Sequence, residues 1–209
     1  MKLLPNNIDT IIFDLGGVIL NLDPQKTIEA FANITGLSAE QLLEHSQEPV
    51  FKQYEKGEVS SDEFRNGLKE IFHVNVKDSV LDNAWNAMLL DLPLDRLEMI
   101  GRLRPKLKTF VLSNTNEIHI AAFDEIVTQA TSGKIIQDYF DTVYYSHKVG
   151  MRKPSREIFE MVVNKNGLEK SNTLFIDDTL EHIETAKKIG LHTWHLTNQD
   201  ELFTVLTNG

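Results

Sequence analysis

Apolar and polar positions divide this chain into one strand, a block of helices, and then a regular strand–helix alternation. Ile11-Ile12-Phe13 is an apolar run of strand-formers, too short for a helix of its own. It ends on Asp14, a residue that strand interiors disfavour, and Gly16 and Gly17 follow at once. From Asp23 to about Leu92 the spacing becomes helical. Asp23-Pro24 reads as an N-cap and N1 proline, and Thr27, Ile28, Phe31, Ala32 and Ile34 form a stripe closed near Gly36. A second helix starts at Ser38 with Leu42 and Leu43 inward. A third starts at Ser61, with Phe64, Leu68, Ile71 and Phe72 on one face. Val80, Leu81, Ala84, Trp85, Met88 and Leu89 form a fourth.

After the helical block, strands are expected at 109–112, 142–146, 173–176 and 192–196. Helices are expected at 97–103, 117–128, from N1 at Pro154 to a stop at Gly167, at 180–189 and at 199–206. The stretch 129–141 is irregular in pattern, a surface loop or part of a contact with another subunit. This alternation predicts an α/β fold, a doubly wound parallel sheet with right-handed crossovers. Residues 1–20 and 93–209 would form the α/β core, with residues 21–92 inserted as a helical cap after the first strand.

Composition narrows the function classes. Over 209 residues, 41% hydrophobic and 25% charged content describes an ordinary globular chain able to bury a sizeable core. A net charge of -10 argues against a nucleic-acid partner, but a small anionic substrate meets a local field and is not excluded. The absence of cysteine removes disulfides, thiolate metal sites and cysteine catalysis, and fits a cytoplasmic protein. No apolar run is long enough to cross a bilayer, and the first seven residues lack the apolar region of a signal peptide. No obligate protein partner is evident.

Polar groups fall at the predicted strand ends. Asp14 closes the first strand, Ser113-Asn114 the second, and Asp177-Asp178 a later one. Lys153 sits before a helix in the same layer of loops. Open parallel sheets bind ligands at the carboxyl ends of their strands. Phosphoryl transfer through a covalent aspartate requires this mixture: a carboxylate to attack phosphorus, others to hold a magnesium ion, and a lysine and a hydroxyl for the phosphoryl oxygens. Taken singly, each group also has a plain reading as a turn, a cap or a surface charge.

The order and spacing of these segments resemble the haloacid dehalogenase superfamily across nearly the whole chain. Phe13-Asp14-Leu15-Gly16-Gly17-Val18, Val111-Leu112-Ser113-Asn114-Thr115, Gly150-Met151-Arg152-Lys153-Pro154 and Phe175-Ile176-Asp177-Asp178-Thr179-Leu180-Glu181 match its four motifs in order. Within the superfamily the chain looks most like bacterial sugar-phosphate phosphatases of the glucose 1-phosphate type. The resemblance implies a Mg2+-dependent phosphatase of a small phosphorylated metabolite, with Asp14 as nucleophile forming an aspartyl-phosphate. It implies metal ligation by Asp14, Asp178 and the Gly16 carbonyl, with Asp177 in the outer shell. Ser113, the Asn114 amide and Lys153 would hold the phosphoryl oxygens, and Lys153 would bridge toward Asp14.

One position departs from the pattern. The family's phosphatases commonly carry a second aspartate, for acid–base work, where this chain has Gly16. Three readings follow: a substrate with a better leaving group, a substitute such as His182 in the fourth-motif helix, or a weak or inactive phosphometabolite-binding module. Metal-independent 2-haloacid dehalogenase and phosphomutase activities fit less well. His182 also reads as a solvent-facing helix residue, and the other histidines as structural or surface groups. Trp85, Met88 and Leu89 read as cap core. Tyr54 and Glu55, in a polar break between helices, are candidates to face the substrate, with Gly57 turning that loop toward the core.

Overall fold

The computed structural model describes residues 7–199, 201, 202 and 206. The first six residues and half of the expected terminal helix at 199–206 lie outside that set. In chain order the elements are β1 (Thr10–Phe13), α1 (Pro24–Thr35), α2 (Ala39–His45), α3 (Pro49–Glu55), α4 (Ser61–Phe72), α5 (Asp78–Asn86), α6 (Leu94–Leu103), β2 (Lys108–Ser113), α7 (Glu117–Ala130), β3 (Thr142–Tyr145), α8 (Ser146–Val149), α9 (Arg156–Lys165), β4 (Thr173–Asp177), α10 (Leu180–Lys188) and β5 (His192–His195). Five parallel strands form one sheet in the order β3-β2-β1-β4-β5. The expected doubly wound sheet is therefore present.

Strand β1 is central and buried throughout. Successive side chains on a strand point to opposite faces. Ile11 and Phe13 accordingly join Val111, Ile176 and Trp194 on one side, while Ile12 joins Phe110, Phe175 and the inward residues of α9 and α10 on the other. The chain winds outward from β1 through β2 to β3 and then returns to β4 on the other side of β1. The strand order thus reverses beside Asp14, where open α/β sheets bind their ligands.

Helices α1 to α5 pack around a separate cluster built on Phe31, Tyr54, Phe64, Leu68 and Leu81, to which Ile118 of α7 also contributes. Capping boxes at Ser38/Gln41 and Ser60/Glu63 start α2 and α4. The two passages between this cluster and the sheet lie side by side, zipped by Asn21 N to Asp91 O, Leu90 N to Asn21 O and Asp23 N to Met88 O. Gly57 turns at φ 68°, and a Cβ there would lie 2.3 Å from the His147 carbonyl oxygen, so only glycine lets this turn approach α8.

Three details differ from the sequence reading. Helix α3 covers Tyr54 and Glu55, where a polar break was expected, and Met88 and Leu89 fall beyond the end of α5. Pro154 follows a cis peptide and α9 starts only at Arg156. The backbone of Lys153 is held from outside the helix, which keeps this segment non-helical. Beyond the end of α7 the stretch 129–141 is irregular, as expected, and it is anchored: Ile136 and Phe140 are buried in the core, and Asp141 accepts from Thr109 N and pairs with Arg104.

A buried arginine fixes the loop after β1. Arg96 Nη1 donates to the Val18 and Ile19 carbonyls at 3.2 and 3.1 Å, and its Nη2 reaches Gln199 Oε1 at 2.8 Å. Gln199 Nε2 in turn donates to Gly17 O at 2.7 Å. Arg96→Ala leaves these carbonyls without their charged donor and is expected to lower the unfolding free energy by about 2–4 kcal/mol in urea denaturation. A change below about 0.5 kcal/mol would contradict this role.

Candidate active site

Adjacent parallel strands in register carry two carboxylates to one edge. Phe13 pairs with Ile176, so Asp14 follows β1 just where Asp177 ends β4. Lys153 is fully buried between them, its Nζ 2.8 Å from Asp14 Oδ1 and 2.7 Å from Asp177 Oδ2. Asn114, just beyond β2, sets the lysine's position through a reciprocal pair. Its Nδ2 donates to Lys153 O and its Oδ1 accepts from Lys153 N, both at 2.8 Å.

Asp177 is held from the other side as well. Thr179 N donates to Asp177 Oδ1 at 2.8 Å, and His182 Nδ1 lies 3.0 Å from both carboxylate oxygens, so Nδ1 carries the proton. His182 is therefore not a solvent-facing residue. It braces Asp177 from behind and does not line the cavity described below. Its position in the helix after β4 was legible; its direction was not. His195 adds a further brace, its Nε2 donating to the Asp178 carbonyl at 2.9 Å.

The charges are unequal. Burial raises the Asp14 carboxyl above the usual carboxylate range, with Lys153 opposing and Asp177 adding to the shift. Burial also opposes ionisation of Asp177, but the Lys153 charge and the His182 hydrogen bond outweigh it and hold that group well below the usual range. Burial and the neighbouring Asp177 raise Asp178. One lysine thus faces three carboxylates, an arrangement that favours a further cation.

The donor set fits a hard divalent ion. Asp14, Asp178 and the Gly16 carbonyl supply oxygen only. Both protein donors to Asp14, Leu15 N and Lys153 Nζ, engage Oδ1, so Oδ2 has no protein donor among the described residues. Asp178 presses against the loop after β1: a Cβ on Gly17 would lie 2.1 Å from Asp178 Oδ2, a space only glycine leaves free. Donor atoms of Asp14, Asp177 and His182 also lie within 4.8 Å of one another. There the Lys153 ammonium already contacts both carboxylates, so that trio is the poorer cation site.

A cavity of about 310 Å3 opens above this edge. Asp14, Gly16, Ser113, Asn114, Asp178 and Glu55 all line it, while Lys153 and Asp177 lie beneath. Tyr54 does not. It is buried, its ring stacked on Phe64 with centroids 4.2 Å apart, and its hydroxyl accepts from Ile118 N at 3.1 Å. This corrects the expectation that Tyr54 faces a substrate: α3 turns it into the helical cluster and leaves Glu55 toward the cavity. A second correction concerns Trp85, Met88 and Leu89, which line the cavity; Trp85 also packs against the helical cluster and Leu89 against the sheet core. Leu22 fills the space beside Gly16, where its Cδ1 would lie 2.4 Å from a Cβ at that position.

His119 joins the two parts of the wall. It stacks on Trp85, donates from Nε2 to Trp85 O at 3.1 Å, and accepts at Nδ1 from Asn116 Nδ2 at 3.1 Å. The sequence offered no signal for this clamp.

With this geometry in place, comparison with known proteins is direct. Residues 8–190 match the haloacid dehalogenase-like hydrolase family. The chain belongs to this family. Among relatives of these hydrolases, D-ribitol-5-phosphate phosphatase of Bacteroides thetaiotaomicron is 31% identical over 206 residues, covering 96% of this chain and all of the relative. A haloacid dehalogenase family enzyme of the same organism, solved as a magnesium complex, superposes with a TM-score of 0.85 at 34% identity, covering 95% of this chain and 99% of that one. An L-2-haloacid dehalogenase of Xanthobacter autotrophicus, 20% identical with a TM-score of 0.61 over 97% of this chain and 83% of that one, shares the fold.

Burial lowers the His119 pKa from 6.5 to about 4. The neutral ring is favoured in the folded state, so its contribution to stability is complete above pH 6.5. That contribution falls as pH drops toward 4 and is constant below. The loss is expected to be on the order of 3 kcal/mol. Denaturant titrations between pH 7 and 4 check this: His119→Gln should show a shallower fall than the wild type, and parallel curves would contradict it.

Proposed function

We propose that this chain is a magnesium-dependent phosphatase of a small phosphorylated metabolite of the sugar or sugar-alcohol phosphate class. The observation that carries this reading is Lys153, buried between Asp14 and Asp177 at the sheet edge, with Ser113 and Asp178 in the cavity above. Residues 1–20 and 93–209 act as the catalytic core. Residues 21–92 act as a cap that closes the cavity and excludes water. All the roles assigned below come from one chain, so no obligate partner is required. No helix among the described residues is long and apolar enough to cross a membrane, and we place the reaction in the cytoplasm.

Asp14 is the nucleophile. It attacks phosphorus, the bond to the leaving oxygen breaks, and an aspartyl-phosphate forms that water then hydrolyses to phosphate. Lys153 orients Asp14 and, with the Ser113 hydroxyl and the Asn114 amide, neutralises the phosphoryl oxygens as charge develops. Asp14, Asp178 and the Gly16 carbonyl would hold Mg2+, and Asp177 would support the site from behind. When bound, the ion draws charge off the phosphoryl oxygens.

Position 16 supplies no proton, and Leu22 fills the space beside it. A phosphate on a primary carbon, as in the ribitol 5-phosphate of the relative's name, gains nothing from an anomeric leaving group. A better leaving group therefore does not account for Gly16 with that substrate.

Phosphate release with D-ribitol 5-phosphate and p-nitrophenyl phosphate, each with magnesium and with chelator, tests the reading. Release should need magnesium and vanish in Asp14→Asn. An aryl leaving group needs no protonation, so kcat for the aryl ester should exceed that for the alkyl ester by about 10²- to 10⁴-fold. Folded protein that releases phosphate from neither ester would favour the phosphometabolite-binding module instead.

A further inference from the structure

Beyond the reacting edge, the cavity wall divides its chemistry sharply. Leu22, Trp85, Met88, Leu89, Ile120 and Phe123 make an apolar surface. One charged side chain reaches the cavity from the helical insert: Glu55, the last residue of α3. Its Oε2 accepts from Arg152 Nε at 2.6 Å, with both side chains about a quarter exposed. Arg152 is not among the lining residues. It directly precedes Lys153, so the ion pair ties Glu55 to the segment that carries the lysine. His119, in the same wall, has both ring nitrogens engaged in the neutral form. Among the described lining residues, no cationic side chain faces this end of the cavity.

We infer that the cavity selects phosphate monoesters whose leaving group is uncharged and polyhydroxylated, and that Glu55 sets this selection. The inference rests on the phosphatase reading and assigns its selectivity to one residue of the helical insert. A carboxylate held by arginine is an acceptor only, suited to hydroxyl hydrogens. The carbon faces of a polyol lie against the apolar wall, as in other small-molecule sites. A carboxylate or second phosphate on the leaving group would instead approach Glu55, and the cation nearest to it, Arg152, is already paired with Glu55 and does not line the cavity. The phosphoryl group itself is received at the other end, by Lys153, Ser113 and the divalent ion proposed above.

A matched pair of esters tests this: D-ribitol 5-phosphate and D-ribonate 5-phosphate, which differ at one end by a hydroxymethyl against a carboxylate. With magnesium, the wild type should prefer the ribitol ester by at least about 10-fold in kcat/KM, mainly through KM. In Glu55→Gln the preference should fall to within about 3-fold of unity, and Glu55→Asp should restore it. Glu55→Met replaces the Gln variant if the latter does not fold. A wild-type ratio near one overturns the inference while leaving the phosphatase reading intact. An undiminished ratio in the uncharged variants overturns the role of Glu55. Absence of phosphate release from every ester overturns both readings together.

Discussion

A lysine ammonium with no solvent exposure, gripped by two aspartates from neighbouring strands, is the interaction on which the rest of this structure depends. An unpaired charge at that depth would be strongly destabilising, and removing one partner of such a set leaves the others uncompensated. Everything around Lys153 serves to keep the set together. The parallel register of β1 and β4 brings Asp14 and Asp177 side by side. Asn114 holds the lysine's backbone from β2, while Thr179 and His182 hold Asp177 from the far side. Three strand ends are thus coupled through one side chain.

The same arrangement explains why the site is poised for a cation and a phosphoryl group. Lys153 cannot neutralise Asp14, Asp177 and Asp178 at once. Asp177 takes the larger share because His182 and Thr179 also donate to it. Asp14 is left with its carboxyl raised and one oxygen without a protein donor among the described residues. That oxygen is the one left free for a further ligand. The excess negative charge would favour the proposed ion, and Gly17 leaves room for Asp178 beside Asp14.

The fold was legible because its signals are local and periodic. Buried strand runs, helix stops and strand-end polar residues recur in an order that only a parallel, doubly wound sheet accommodates. Asp14, Ser113, Lys153 and Asp177-Asp178 could be singled out for the same reason: each stands at a break in an apolar pattern. What escaped was direction. Tyr54 and Glu55 are neighbours in α3, and a helix turns successive residues about 100° apart, so one is buried against Phe64 while the other faces the cavity. His182 shares its helix with exposed residues, yet its ring turns back onto Asp177. Trp85 belongs by periodicity to a helical core and by tertiary placement to the cavity wall as well. The segment before α9 looked helical from Pro154 because proline at N1 is a strong local signal, and the pairing of Lys153 with Asn114 overrides it.

Covalent chemistry at the Asp14 carboxylate is the step that the proposed reaction cannot do without. Wild-type protein turning over D-ribitol 5-phosphate with magnesium, quenched and treated with borohydride, should carry homoserine in place of aspartate at position 14 when peptides are read by mass spectrometry. The conversion should depend on both substrate and magnesium. Phosphate release with Asp14 unmodified, or with the modification on another carboxylate, would contradict the central claim.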